Sequence, residues 1–119
     1  MSSVIAIQTV EDWNYVVSKF QVVVVDCFAI WCGPCKQIAP VFEEIAKQYA
    51  NIKGLGFAKV DVDEAADPVR RLLNVEALPT FRVVAAKQLI ANDEYRQTGG
   101  GKESLVNLVD RASRLITKA

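Results

Sequence analysis

Histidine is absent from this chain, and cysteine occurs only three times in 119 residues. A structural zinc site takes four nitrogen or sulfur ligands, so the chain cannot complete the usual set alone, and only a site shared between two chains is left open. An excess of one charge is lacking too. The 14 basic residues balance the 14 acidic ones, which gives no pull toward nucleic acid or an anionic membrane surface. No apolar run approaches the roughly 20 residues needed to cross a bilayer. The opening Met1-Ser2-Ser3-Val4-Ile5-Ala6-Ile7-Gln8 has neither the basic start nor the apolar run of roughly 7 to 15 residues of a secretory signal. The expectation is a soluble, cytoplasmic protein. In a reducing compartment a lasting structural disulfide is the exception, so two closely spaced cysteines there point to catalysis or metal binding. Repeats, linkers and low-complexity stretches are also missing, and the length suits one domain over residues 1–119.

What the chain does have is a regular alternation of two periods. Val4 to Ile7 is a short apolar run, and Thr9 is placed to cap a helix over residues 11–17. Gln21 to Phe28 is almost continuously apolar and valine-rich, which predicts a strand buried on both faces and central in its sheet. From Cys32 the period changes. Ile38, Val41, Phe42, Ile45, Ala46 and Tyr49 recur at spacings of three and four, marking the buried face of a long helix that Pro40 should kink without ending. A strand over Phe57 to Val62 follows, then a short helix opened by Asp63 or Asp67 with Pro68. Thr80 to Val84 and Leu89 to Tyr95 read as a hairpin turning near Lys87-Gln88. Beyond Gly99-Gly100-Gly101, Leu105, Leu108, Val109, Ala112, Leu115 and Ile116 outline a last amphipathic helix. The order βαβαβαββα implies an α/β fold with a mixed central sheet covered on both faces.

The chemistry concentrates in Trp31-Cys32-Gly33-Pro34-Cys35, at the junction of the central strand and the long helix. If Cys32 opens that helix, its sulfur lies beside unpaired N–H groups and the positive end of the dipole, which favour the thiolate. Cys35, one turn further in, faces Cys32 and is placed to resolve a mixed disulfide formed there. As a mere staple the pair would do little, because so small a loop hardly constrains the unfolded chain. Gly33-Pro34 keeps the connection short, and Trp31 either packs in the core or stands half exposed as a contact beside the nucleophile. Asp26 ends the valine run, where an ionised carboxylate is poorly solvated, so its pKa should rise. Cys27 points to the opposite face of the sheet and reads as a small apolar core residue. Gly54-Leu55-Gly56 precedes a strand and Gly101-Lys102 lacks the flanking residues of a phosphate loop, so neither predicts a nucleotide site. Asp61, Asp63 and Glu64 read as a solvated strand end.

Taken together, the Trp-Cys-Gly-Pro-Cys-Lys string, Asp26 six residues before the first thiol, Lys59-Val60-Asp61-Val62-Asp63, Leu78-Pro79-Thr80-Phe81 and the late glycine before the last helix resemble the thioredoxin family in order and spacing. The resemblance spans essentially the whole chain, and the thioredoxin fold is expected. It implies reduction of protein disulfides through a redox-active Cys32-Cys35 pair, with no bound cofactor. It also implies recharging by an NADPH-dependent thioredoxin reductase and action as a monomer. Asp26 is implied as the proton acceptor of Cys35 through a water, with Lys59 close by. Pro79 is implied to be cis, freeing the Leu78 backbone for an extended substrate and forming a shallow groove with Ala77 and Gly100. Departures are Cys27 in place of an aromatic residue, Ile30 in place of a small or acidic one, and a hairpin without its glycine. A non-catalytic binding subunit of the same fold is the alternative, and an insulin-reduction assay separates the two.

Overall fold

The computed structural model of the chain describes residues 3–116, so Met1 and Ser2, the first residues of the segment inspected for a leader, lie outside it. Two-residue periodicity makes the strands and 3.6-residue periodicity the helices. They follow one another as β1 (Val4–Ala6), α1 (Val10–Lys19), β2 (Val22–Phe28), α2 (Gly33–Gln48), β3 (Leu55–Asp61), α3 (Asp67–Leu73), β4 (Thr80–Ala85), β5 (Gln88–Leu89), β6 (Arg96–Thr98) and α4 (Lys102–Ser113). The strands lie in the order β1-β3-β2-β4, and β5 and β6 both pair with β4. β1, β3 and β2 run parallel, whereas β4 is antiparallel to β2. β2 is therefore central, as its valine run predicts.

The alternation along β2 divides the core. Val22 and Val24 face one layer with Phe42 and Ile45 of α2 and Leu105 and Leu108 of α4. Val23, Val25 and Cys27 face the other with Trp13 and Val16 of α1 and Val69 and Leu73 of α3. Phe42 anchors the first layer, its ring centroid 5.7 Å from Phe57 and 5.5 Å from Phe81. Truncating so buried an aromatic side chain costs about 3–5 kcal/mol. The start of α1 follows its cap. Thr9 Oγ1 accepts from the Asp12 N–H at 3.0 Å, while the Asp12 carboxylate accepts from the N–H groups of Gln8 and Thr9 and is held below its ordinary pKa by them. Pro40 sits inside α2, which continues past it.

The stretch from Leu89 to Tyr95 departs from the expected single strand. β5 has two residues, and a 3-10 turn over Asp93–Tyr95 separates it from β6. The Asn92 side chain accepts from the Glu94 N–H at 2.9 Å, offering the backbone a local turn in place of ladder pairing. The edge strand of β4 is thus interrupted, and the chain carries one more short strand than its pattern predicts. Gly56 is a site of close approach: the Phe20 ring packs where a side chain would begin.

Candidate active site

Cys32 is the N-cap of α2, and its Sγ accepts from the Cys35 N–H at 3.2 Å. The helix start therefore directs an N–H at this sulfur, the arrangement that stabilises a thiolate. Pro34 stands in the first turn, where its missing N–H costs no helical bond. Cys32 and Cys35 are joined as a disulfide with a Cα–Cα separation of 5.3 Å. Both are buried, yet they open to different sides. Cys32 lines a groove of about 420 Å³ with Trp31, Gly33, Pro34, Val62, Val75, Glu76, Ala77 and Leu78. Cys35 lines a cavity of about 210 Å³ with Asp26, Ile30 and Lys59, among others.

That second cavity joins the three groups that the family resemblance relates to proton transfer. Asp26 and Lys59 are register partners on the neighbouring strands β2 and β3. Asp26 is 4% exposed, and its Oδ1 has no hydrogen-bond partner among the described residues. Burial pushes its pKa up to about 7, against the opposing pull of the Lys59 ammonium. Across the sheet, burial and then the Asp26 charge push the Cys27 thiol up to about 12, with Arg82 opposing. Cys27 is fully buried in the other core layer, as strand alternation requires.

One wall of the groove is the segment over residues 75–78, which leads into Pro79. The Leu78-Pro79 bond is cis, as the family resemblance implies. Among the described residues no backbone hydrogen bond engages the N–H of Ala77 or Leu78. The segment is tied at its base: Arg82 Nη1 donates to the Leu73 carbonyl at 2.5 Å, and Thr80 Oγ1 donates to the Ala77 carbonyl at 2.6 Å. Arg82 is 5% exposed and reaches the last carbonyl of α3, where a cation is favoured.

Several placements differ from expectation. Trp31 is 68% exposed, more than half, because its Nε1 donates to Asp63 Oδ2 at 2.8 Å outside the core. The sequence marks Asp63 only as part of a solvated strand end; its partner lies 32 positions away, and no local pattern could reveal it. Pro79 and Gly100 do not line the groove; Val62, Val75 and Glu76 do. Gly100 instead lies against α2, where a methyl group on it would sit 3.4 Å from the Pro34 carbonyl oxygen. The neighbouring Gly99 has φ +98°, which favours glycine, and its N–H donates to the Pro79 carbonyl at 2.8 Å. Gln97 braces this loop by donating from Nε2 to the carbonyls of Gly99 and Gly101, both at 3.0 Å. Arg82 and Gln97 carry no signal in the sequence beyond being polar among apolar strand residues.

Residues 4–111 match the family model described as Thioredoxin. This chain belongs to the thioredoxin family. Thioredoxin H5 of Arabidopsis thaliana is 40% identical over 111 aligned residues, covering 82% of this chain and 91% of the relative. The thioredoxin of Coprinus comatus is 34% identical over 106 residues, with coverage of 89% and 94%. The match spans only 27% of thioredoxin-like protein 1 of Schizosaccharomyces pombe and 65% of thioredoxin 1 of Plasmodium falciparum. The solved thioredoxin of Malassezia sympodialis superposes with a TM-score of 0.81 at 35% identity, covering 95% of this chain and 93% of that one. The thioredoxin fold is therefore established for this chain. No helix among the described residues is long and apolar enough to cross a membrane.

Proposed function

We propose that this chain, acting as a one-domain monomer in the cytoplasm, reduces protein disulfides by thiol–disulfide exchange. The observation that carries the reading is the division of labour around one bond: Cys32 opens to the substrate-sized groove, and Cys35 to the cavity holding Asp26. In the reduced state the Cys32 thiolate attacks a substrate sulfur, forming a mixed disulfide and releasing one substrate thiolate. Asp26 takes the Cys35 proton, by way of a water that the cavity has room for. The resulting thiolate attacks Cys32 Sγ. That step frees the second substrate sulfur as a thiolate, which takes its proton from solvent, and closes the Cys32-Cys35 disulfide, so two electrons pass to the substrate. Lys59 supports the Asp26 charge formed when that carboxyl later gives up its proton. Trp31, Gly33 and Pro34 shape the nucleophile's surroundings, and the unpaired N–H groups of Ala77 and Leu78 offer pairing to an extended substrate segment. Pro79 and Gly100 fix the two loops flanking α2. An NADPH-dependent thioredoxin reductase would restore the dithiol, so the nicotinamide and flavin chemistry belongs to that partner.

Insulin reduction driven by a small dithiol tests the activity, and its absence would leave a binding subunit. The two thiols are separated by trapping. Cys35→Ser should accumulate mixed disulfides with protein substrates on a non-reducing gel, whereas Cys32→Ser should neither reduce nor trap. Equal trapping by both variants would reverse or erase the assignment.

A further inference from the structure

The groove beside Cys32 is walled by apolar groups, with one charged side chain among its lining residues, Glu76. Its carboxylate is exposed on the segment whose Ala77 and Leu78 N–H groups are unpaired. Trp31, another lining residue, is held by the exposed carboxylate of Asp63, whose own N–H is bonded to Asp61. No lysine or arginine lines the groove. The cations near the disulfide, Lys36 and Lys59, line the separate cavity on the Asp26 side. Arg70 and Arg71 line a recess beyond Val75, where Arg70 is paired with Asp67. A substrate segment lying in the groove therefore meets the Glu76 carboxylate in its lining, with the Asp63 carboxylate beyond it behind Trp31.

Resting on the reductase reading above, we infer that the groove selects disulfides flanked by a basic side chain, with Glu76 as the specificity-determining residue. A lysine or arginine one or two residues from the attacked cysteine meets Glu76, with Asp63 beyond it, while its aliphatic stem lies on Trp31 and Val75. An acidic side chain at that position meets the like charge of Glu76, and none of the groove's own residues offsets it.

The test uses two cyclic disulfide peptides that differ only in a Lys or Glu next to the attacked cysteine. Each rate is divided by the rate with 2-mercaptoethanol, a neutral thiol, which removes the charge's effect on the leaving sulfur. An exposed ion pair changes affinity modestly, so the corrected kcat/KM of the parent should favour the Lys peptide by about two- to tenfold. Salt at about 0.5 M should largely abolish that preference, and Glu76→Lys, an exposed loop substitution, should invert it. Equal corrected rates with the parent, or a ratio that Glu76→Lys leaves in place, overturns the assignment of specificity to Glu76. Reduction of neither peptide overturns the reductase reading itself, and this inference with it.

Discussion

At Asp26 the cost of burial can be followed through pH. The folded carboxyl titrates near 7, raised by burial, while in the unfolded chain it titrates near its ordinary value of 3.8. Below that ordinary value both states hold the proton, and the residue is neutral to stability. Between the two values the unfolded chain releases the proton and the folded chain keeps it, so stability falls as pH rises. Above about 7 the full penalty applies, on the order of 4 kcal/mol as an upper bound, because each pH step between the two titration points is worth about 1.36 kcal/mol. Asp26→Asn should therefore raise the denaturant midpoint of the oxidised protein at pH 8 and change it little at pH 4. The same substitution should slow resolution of the mixed disulfide, seen as longer-lived adducts. A midpoint gain that is the same at both pH values would mean that the carboxyl is solvated and titrates normally.

Between β4 and β5 the chain turns through Ala86 and Lys87, whose φ angles of 50° and 68° are both left-handed. Such a two-residue hairpin turn suits Asn-Gly, and a residue with a Cβ pays about 1–2 kcal/mol for the left-handed conformation. Replacing Ala86-Lys87 by Asn-Gly should stabilise the fold by about 1 kcal/mol, read as a higher urea midpoint with an unchanged slope. A lower midpoint would show that the present side chains contribute more than their backbone costs. At this scale the sequence is informative where an element is long and periodic. The faces of α2 and α4, the two-sided burial of β2 and the Thr9 cap all follow from spacing, because each is decided by neighbours within a turn or two. The β5–β6 edge does not, since two- and three-residue strands carry too little alternation to outweigh the local capping by Asn92. The Cys32-Cys35 pairing and the burial of Asp26 were legible from the motif and from the valine run. The groove was legible only in part, because Val62, Val75 and Glu76 reach it through tertiary packing.

For the molecule as a whole, Cys27 is the most useful reporter. It sits on the central strand between Val60 of β3 and Thr80 of β4, fully buried under α1 and α3. In the oxidised protein it is the free cysteine. Two barriers protect it: no reagent reaches it, and its pKa near 12 leaves almost none of the reactive thiolate. Exposing it requires lifting α1 and α3 from the central sheet, which breaks up a whole core layer, so no opening short of global unfolding should suffice. Alkylation of oxidised protein by iodoacetamide should then be negligible under native conditions. It should accelerate in urea with the same slope as the equilibrium unfolding transition seen by circular dichroism. Cys27→Ala should lose the labelling altogether, showing that the Cys32-Cys35 disulfide stays closed throughout. Labelling with a much smaller urea slope would mean that α1 and α3 part from the sheet on their own. The two core layers would then be separate cooperative units, and the groove wall that follows α3 would be loosely held.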